Sequence, residues 1–168
     1  SFGPHHVSRL EAIAEAAPHA STRVVGMEMF SKDSDYEWRP IPGRGTTFTR
    51  HTVMDCESEA GRRQPRALRE AVLKALEEIR PDVLVVAGWG FLESRISLRW
   101  CRRNKCPIVM LNDNPRDNVQ RTWWKEVAKR WLLRGIKAGF VAGSPQARYL
   151  ERLGIPKAGI FQPGSCVV

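Results

Sequence analysis

A chain of 168 residues with 42% hydrophobic and 27% charged residues has the size and balance of a globular α/β domain. No apolar run approaches the roughly 18–20 residues of a membrane span, and no signal-peptide pattern precedes the first predicted helix. The net charge is +9, and it is segregated. Twelve Lys or Arg and only four acidic residues lie between Glu93 and Lys137, so +8 of the total sits there. Such a one-sided basic surface attracts phosphates, nucleic acid or anionic lipid. Its plainer reading is the solvated outer faces of two helices. The four cysteines (Cys56, Cys101, Cys106, Cys166) lack paired C-x-x-C spacing. That argues for reduced thiols in the cytoplasm, against a disulfide scaffold and against a zinc site.

In chain order, Phe2-Gly3-Pro4-His5-His6 opens a predicted helix over 7–17, with Val7, Leu10, Ile13, Ala14 and Ala17 on one face. A glycine turn of this kind ordinarily follows a strand, so the pattern implies a first strand upstream of Ser1. A strand is expected over 22–29. Residues 31–65, rich in Gly, Pro, Asp, Ser and Arg, form the least regular part. Within them, 46–54 has the β-branched alternation of a strand. Leu68, Val72, Leu73, Leu76 and Ile79 place a helix over 65–79, with Pro65 in its first turn and Pro81 ending it.

The clearest unit follows. Val83-Leu84-Val85-Val86 breaks at Gly88-Trp89-Gly90, a helical pattern covers 92–104, and Ile108-Val109-Met110-Leu111 ends in Asn112-Asp113-Asn114. Two continuously apolar strands around a helix are a βαβ crossover in a parallel sheet. A long helix is expected over 121–137, a strand over 139–143, a helix from Ser144 through Leu153 and a last strand over 159–161. The alternation predicts a doubly wound, mostly parallel, Rossmann-like sheet. Ligand chemistry in such sheets gathers past the carboxyl ends of the strands.

That edge supplies the candidate residues. Asn112, Asp113, Asn114 and Arg116 combine amides, a carboxylate and a guanidinium suited to sugar hydroxyls and an anionic group. The alternative is an Asx turn leading into Pro115. Trp89, beside Gly90, offers a ring on which a sugar or lipid stacks, or simply fills space under a loop. Gly3, His5 and His6 precede a helix whose free amides favour phosphate. No carboxylate or Cys stands at ligand spacing from the paired histidines, so no metal is expected. Ser144 reads as a helix N-cap, with a backbone-amide contact to ligand as its second role. His19 and His51 read as structural. On the 121–137 helix, Trp124, Val127, Ala128, Trp131, Leu132 and Ile136 fall at helical spacing. Arg121, Lys125 and Lys129 make one basic row; Arg130, Arg134 and Lys137 make another. The plainer expectation packs the aromatic stripe on the sheet. The alternative lays the helix on an anionic membrane through Arg121, Lys125 and Lys129. Nucleic acid is not expected, because no recognised module accompanies the charge.

The run from Arg80-Pro81-Asp82 through the apolar strand, the strand after Pro107 and the basic Trp-rich helix carries a resemblance. So does the phrase from Ala138 to Leu153-Gly154-Ile155-Pro156. Together they resemble the N-terminal domain of family 4 glycosyltransferases, retaining enzymes of the GT-B fold. Phe2-Gly3-Pro4-His5-His6 is similar to that family's glycine loop near the donor phosphates. The resemblance implies one lobe of a two-domain enzyme, the acceptor-binding side, with residues 1–168 as a single Rossmann-like domain. A nucleotide-diphosphate sugar is then the donor substrate, with no further cofactor. A sugar or lipid-linked acceptor is the partner, and the location is cytoplasmic or peripheral to the inner face of a membrane. The family's paired glutamates, which belong to the C-terminal domain, have no match here, and the isolated lobe is expected not to catalyse transfer. Asp113 falls where many members carry a His, and is the catalytic candidate as a base or hydroxyl-positioning group. Two other functions remain open: a non-catalytic lobe that docks a partner or membrane through its basic helix, and another GT-B enzyme such as a sugar-nucleotide epimerase.

Overall fold

The computed structural model describes residues 2–17, 21–34, 45–112 and 123–162. The chain divides into two compact units, the first ending at Arg80 and the second beginning at Pro81.

In the first unit, α1 (Pro4–Glu15) precedes β1 (Val25–Lys32) and β2 (Thr49–Glu57), which pair in parallel from Val25↔Thr49 onward. Alternate residues Gly26, Glu28 and Phe30 point inward on β1, as period-two geometry requires. Both strands run about three residues later than their sequence pattern suggests. On β2 the alternation continues through half-buried Cys56, while Asp55 and Glu57 face solvent and mask the pattern. A short helix, α2 (Ser58–Arg62), follows at once. The sequence conceals it: five residues including Gly61 carry no periodic signal. The helix α3 (Pro65–Ile79) has the predicted limits and buries Leu68, Val72, Ala75 and Leu76. Arg80 ends it in the left-handed region at φ 46°, where its amide returns to the Leu76 carbonyl at 2.9 Å.

The second unit contains β3 (Leu84–Ala87), α4 (Leu92–Arg103), β4 (Ile108–Asn112), α5 (Trp123–Leu133), β5 (Ala138–Val141), α6 (Ser144–Arg152) and β6 (Ile160–Phe161). A 3-10 turn, Lys157–Gly159, leads into β6. The sheet order is β3-β4-β5-β6, parallel throughout. This is the α/β, parallel-sheet, Rossmann-like class that the alternation of elements predicts. Its core joins Val86, Met110 and Val141 of the strands to Leu98, Leu133, Ile136, Ala147, Leu150 and Ile155. Helix α6 lies so close to β5 that a Cβ on Gly139 would stand 2.6 Å from Leu150 Cδ1. Any side chain there would have to displace the end of the buried Leu150 side chain.

Helix α5 departs from the plainer expectation for its stripe. Leu133 is buried and Leu132 half-buried, yet Trp123, Trp124, Val127 and Trp131 all face solvent.

Candidate functional site

Because β3, β4, β5 and β6 are parallel and paired in order, their carboxyl ends form one edge. Ala87 pairs with Leu111, Asn112 with Val141, and Phe140 with Phe161. Gly88–Gly90, Asn112, Ala142–Ser144 and Gln162 therefore leave the sheet on the same side.

At the end of β3, Gly88 adopts φ +74° and its amide donates to the carbonyls of Leu111 at 2.9 Å and Val86 at 3.1 Å. That conformation, which side chains rarely adopt, turns the chain away from the sheet. Gly90 is exposed with open space where a Cβ would be. Trp89 is half-buried, packs against the core and lies 5.9 Å from the ring of Tyr149. This is the space-filling arrangement, with part of one ring left to the edge.

At the end of β4, Asn112 is buried. Among the described residues no buried side-chain nitrogen or oxygen lacks a hydrogen-bond partner. Asp113, Asn114, Arg116 and Arg121 lie outside the described residues. At the end of β5, the N-cap of α6 is Gly143, one residue before Ser144, and its carbonyl accepts from Ala147 N at 3.0 Å. Ser144 is thus not the cap. It is the first helical residue, followed by Pro145, and its exposed hydroxyl donates to Gln162 Oε1 at 3.2 Å, bridging the ends of β5 and β6. The first-turn amides of α6 open at the same edge.

Two groups of interacting side chains were not visible in the sequence. In the second unit, Lys129 Nζ donates to Glu126 Oε1 at 2.8 Å and lies 3.1 Å from the hydroxyl of buried Tyr149. Burial alone would lower the Lys129 ammonium, but its bonds to Glu126 and Tyr149 outweigh that and hold its pKa above the usual value. Lys129 is thus turned inward, whereas Lys125 is exposed with its ammonium 5.3 Å from the Trp124 ring centroid.

The other group lies in the first unit. Buried Glu28 accepts from Arg50 Nε and Nη2, each at 2.7 Å, from Thr52 Oγ1 at 2.6 Å and from the Phe2 amide at 3.2 Å. Burial would raise the Glu28 carboxyl, yet these bonds and the Arg50 charge leave its pKa below the usual carboxylate value. No sequence feature marks Glu28 out, since Lys32 also places a charge on this strand. The β1–β2 register, Gly26↔Arg50 and Glu28↔Thr52, supplies the partners. Through Phe2, Glu28 anchors the glycine turn: Gly3 caps α1, its amide donates to His6 Nδ1 at 3.2 Å, and the His5 and His6 rings lie 3.8 Å apart. His6 thereby acts as a cap partner, with the proton of a neutral ring on Nε2. Among the described residues no group of three or more His, Cys, Asp or Glu is placed to hold a metal ion. No helix among them is long and apolar enough to cross a membrane.

No protein-family model matches the chain, and no curated protein sequence matches it. Among solved structures it is similar to a UDP-N-acetylglucosamine 2-epimerase from Rickettsia bellii, at 22% identity and a TM-score of 0.49. That match covers 68% of this chain and 30% of the other, so the chain spans less than a third of that protein's length. The fold class stands on the strand order and parallel register described above.

Proposed function

We propose that this chain is the acceptor-side lobe of a retaining, GT-B glycosyltransferase that uses a nucleotide-diphosphate sugar. The observation that carries the reading is the shared carboxyl edge of β3–β6. It gathers an open glycine turn beside a half-exposed Trp89, the Asn112 strand end that leads into Asp113, and the first turn of α6 at Ser144. An aromatic face and backbone amides are groups of the kind that hold a polyhydroxyl ligand, and the sequence next supplies the carboxylate of Asp113. The family 4 resemblance of the 80–156 stretch supplies the reaction class. In this reading Asp113 positions or deprotonates the acceptor hydroxyl, and Asn114 and Arg116 contact the acceptor. Donor binding and turnover need a second domain, so the lobe by itself binds without transferring.

The test is amide chemical-shift mapping of the 168-residue chain against a panel of acceptor sugars and nucleotide-diphosphate sugars. We expect perturbations at Gly88–Gly90, Asn112 and Ser144, weakened in Asp113→Ala. A panel that leaves those amides unmoved, or moves them equally in Asp113→Ala, defeats the reading.

A further inference from the structure

Helix α5 is amphipathic in an inverted sense. Its inner side carries buried Leu133 and half-buried Leu132, together with Glu126 and Lys129, whose charges meet each other and Tyr149. Its outer side carries the large apolar groups: Trp123 is 77% exposed, Trp124 54%, Val127 58% and Trp131 68%. At 100° per residue these four fall within one quarter-turn or little more of the helix surface. Three exposed indoles on 11 residues exceed the scattered apolar groups of an ordinary surface. Cations frame them. Lys125 lies over Trp124, the Arg102 guanidinium from α4 stands 5.8 Å from the Trp131 ring centroid, and Arg130 and Arg134 are exposed along the same side.

We propose that this face docks on an anionic lipid bilayer, with Trp123, Trp124, Val127 and Trp131 seated among the headgroups and Lys125, Arg130 and Arg134 on their phosphates. Indole, an apolar body with one N–H donor, favours the membrane interface, and adjacent cations favour anionic lipid. Charge complementarity selects this occupant over a second copy of the chain, because two such faces would bring together segments of +8 each. Duplex nucleic acid would use the cations and leave the indoles unexplained. Lys129, turned inward, takes no part. The inference does not rest on the sugar-transfer reading.

The test is flotation of the full chain with vesicles of phosphatidylcholine alone or mixed with phosphatidylglycerol, with tryptophan emission recorded alongside. The expected result is flotation and a blue-shifted emission only with the anionic mixture, weakened by added salt. The paired variants Trp124→Ser/Trp131→Ser and Lys125→Glu/Arg130→Glu should each lose about tenfold or more in apparent affinity. Lys74→Glu, on the exposed side of α3, should lose none. All of these positions are exposed, so circular dichroism should report an unchanged fold. Absence of flotation overturns the proposal, as does equal binding to neutral vesicles. It also falls if the Trp124→Ser/Trp131→Ser pair binds anionic vesicles as well as the parent, or if that pair merely abolishes a dimer.

Discussion

Glu28 is the residue whose surroundings say most about how the first unit is held. A buried carboxylate is costly unless its oxygens are filled, and here Arg50, Thr52 and the Phe2 amide fill them. Its folded pKa lies below the unfolded value, so its stabilisation is present above the ordinary Glu value of 4.5 and is lost as pH falls through the folded one. Acid titration followed by amide protection of β1 and β2 should show that loss, and Glu28→Gln should remove this part of the pH dependence while lowering stability at neutral pH. Unchanged pH dependence in Glu28→Gln would mean that other carboxylates govern acid unfolding. In the second unit, burial pushes the Cys101 thiol up to about 12, with Cys106 beside it adding to the effect. At neutral pH Cys101 is therefore a core group, not a nucleophile. At this scale the sequence was informative about identity and weak about company. Glu28 is one of two charges on its strand, Arg50 and Thr52 lie more than twenty positions away, and only the register pairs them.

Elements were legible wherever hydrophobic periodicity was long. Helix α3 has its predicted limits because five apolar residues repeat at helical spacing and Pro65 and Pro81 bracket them. Helix α2, five residues with a glycine, has no period to read. Helix α5 ends at Leu133, four residues short of the expected limit, and its tryptophans face away from the sheet, against the plainer of the two expectations. Periodicity shows that the tryptophans share a side; it does not show which side is inside when a Lys–Glu pair can be satisfied by a buried tyrosine. Where α6 crosses β5, nothing in the residue pattern marks Gly139 as a contact, since Gly139-Phe140-Val141 reads as ordinary strand. Gly139→Val should cost about 1–3 kcal/mol in chemical denaturation, because Leu150 and the Met110 carbonyl occupy the space. Gly90→Ala, with open space around it, should stay within about 0.5 kcal/mol. Equal effects at the two sites would contradict the close approach of α6.

For the whole molecule the governing quantity is charge: +9 overall, with +8 between Glu93 and Lys137. Crowded cations repel one another in the compact state, and salt screens them over about 10 Å at 0.1 M. The melting temperature should therefore rise from low salt to about 0.15 M NaCl, and less steeply in Arg99→Gln/Arg103→Gln. A falling melting temperature would mean that ion pairs such as Arg50–Glu28 dominate instead. The α/β class was readable at this scale from the order of elements. The division into two units at Arg80 and Pro81 was not, because the Pro81 that ends a helix looks the same whether or not a unit ends with it.

The inward bonds of Glu126 and Lys129 have a consequence for α5 as a rotating body. Helical phase is ordinarily set by which side is greasiest, and by that criterion this helix should turn its indoles inward. Its phase is set instead by Leu132 and Leu133 packed on the core, with the Glu126 and Lys129 bonds to Tyr149 beside them. Turning the tryptophans toward the sheet would carry Glu126 and Lys129 together away from Tyr149 on α6, while the carbonyls of Trp131, Leu132 and Arg134 are gripped by Arg102 at the helix's far end. The outward aromatic face is thus held from behind, by the groups on the opposite side of the helix, and is presented without any rearrangement.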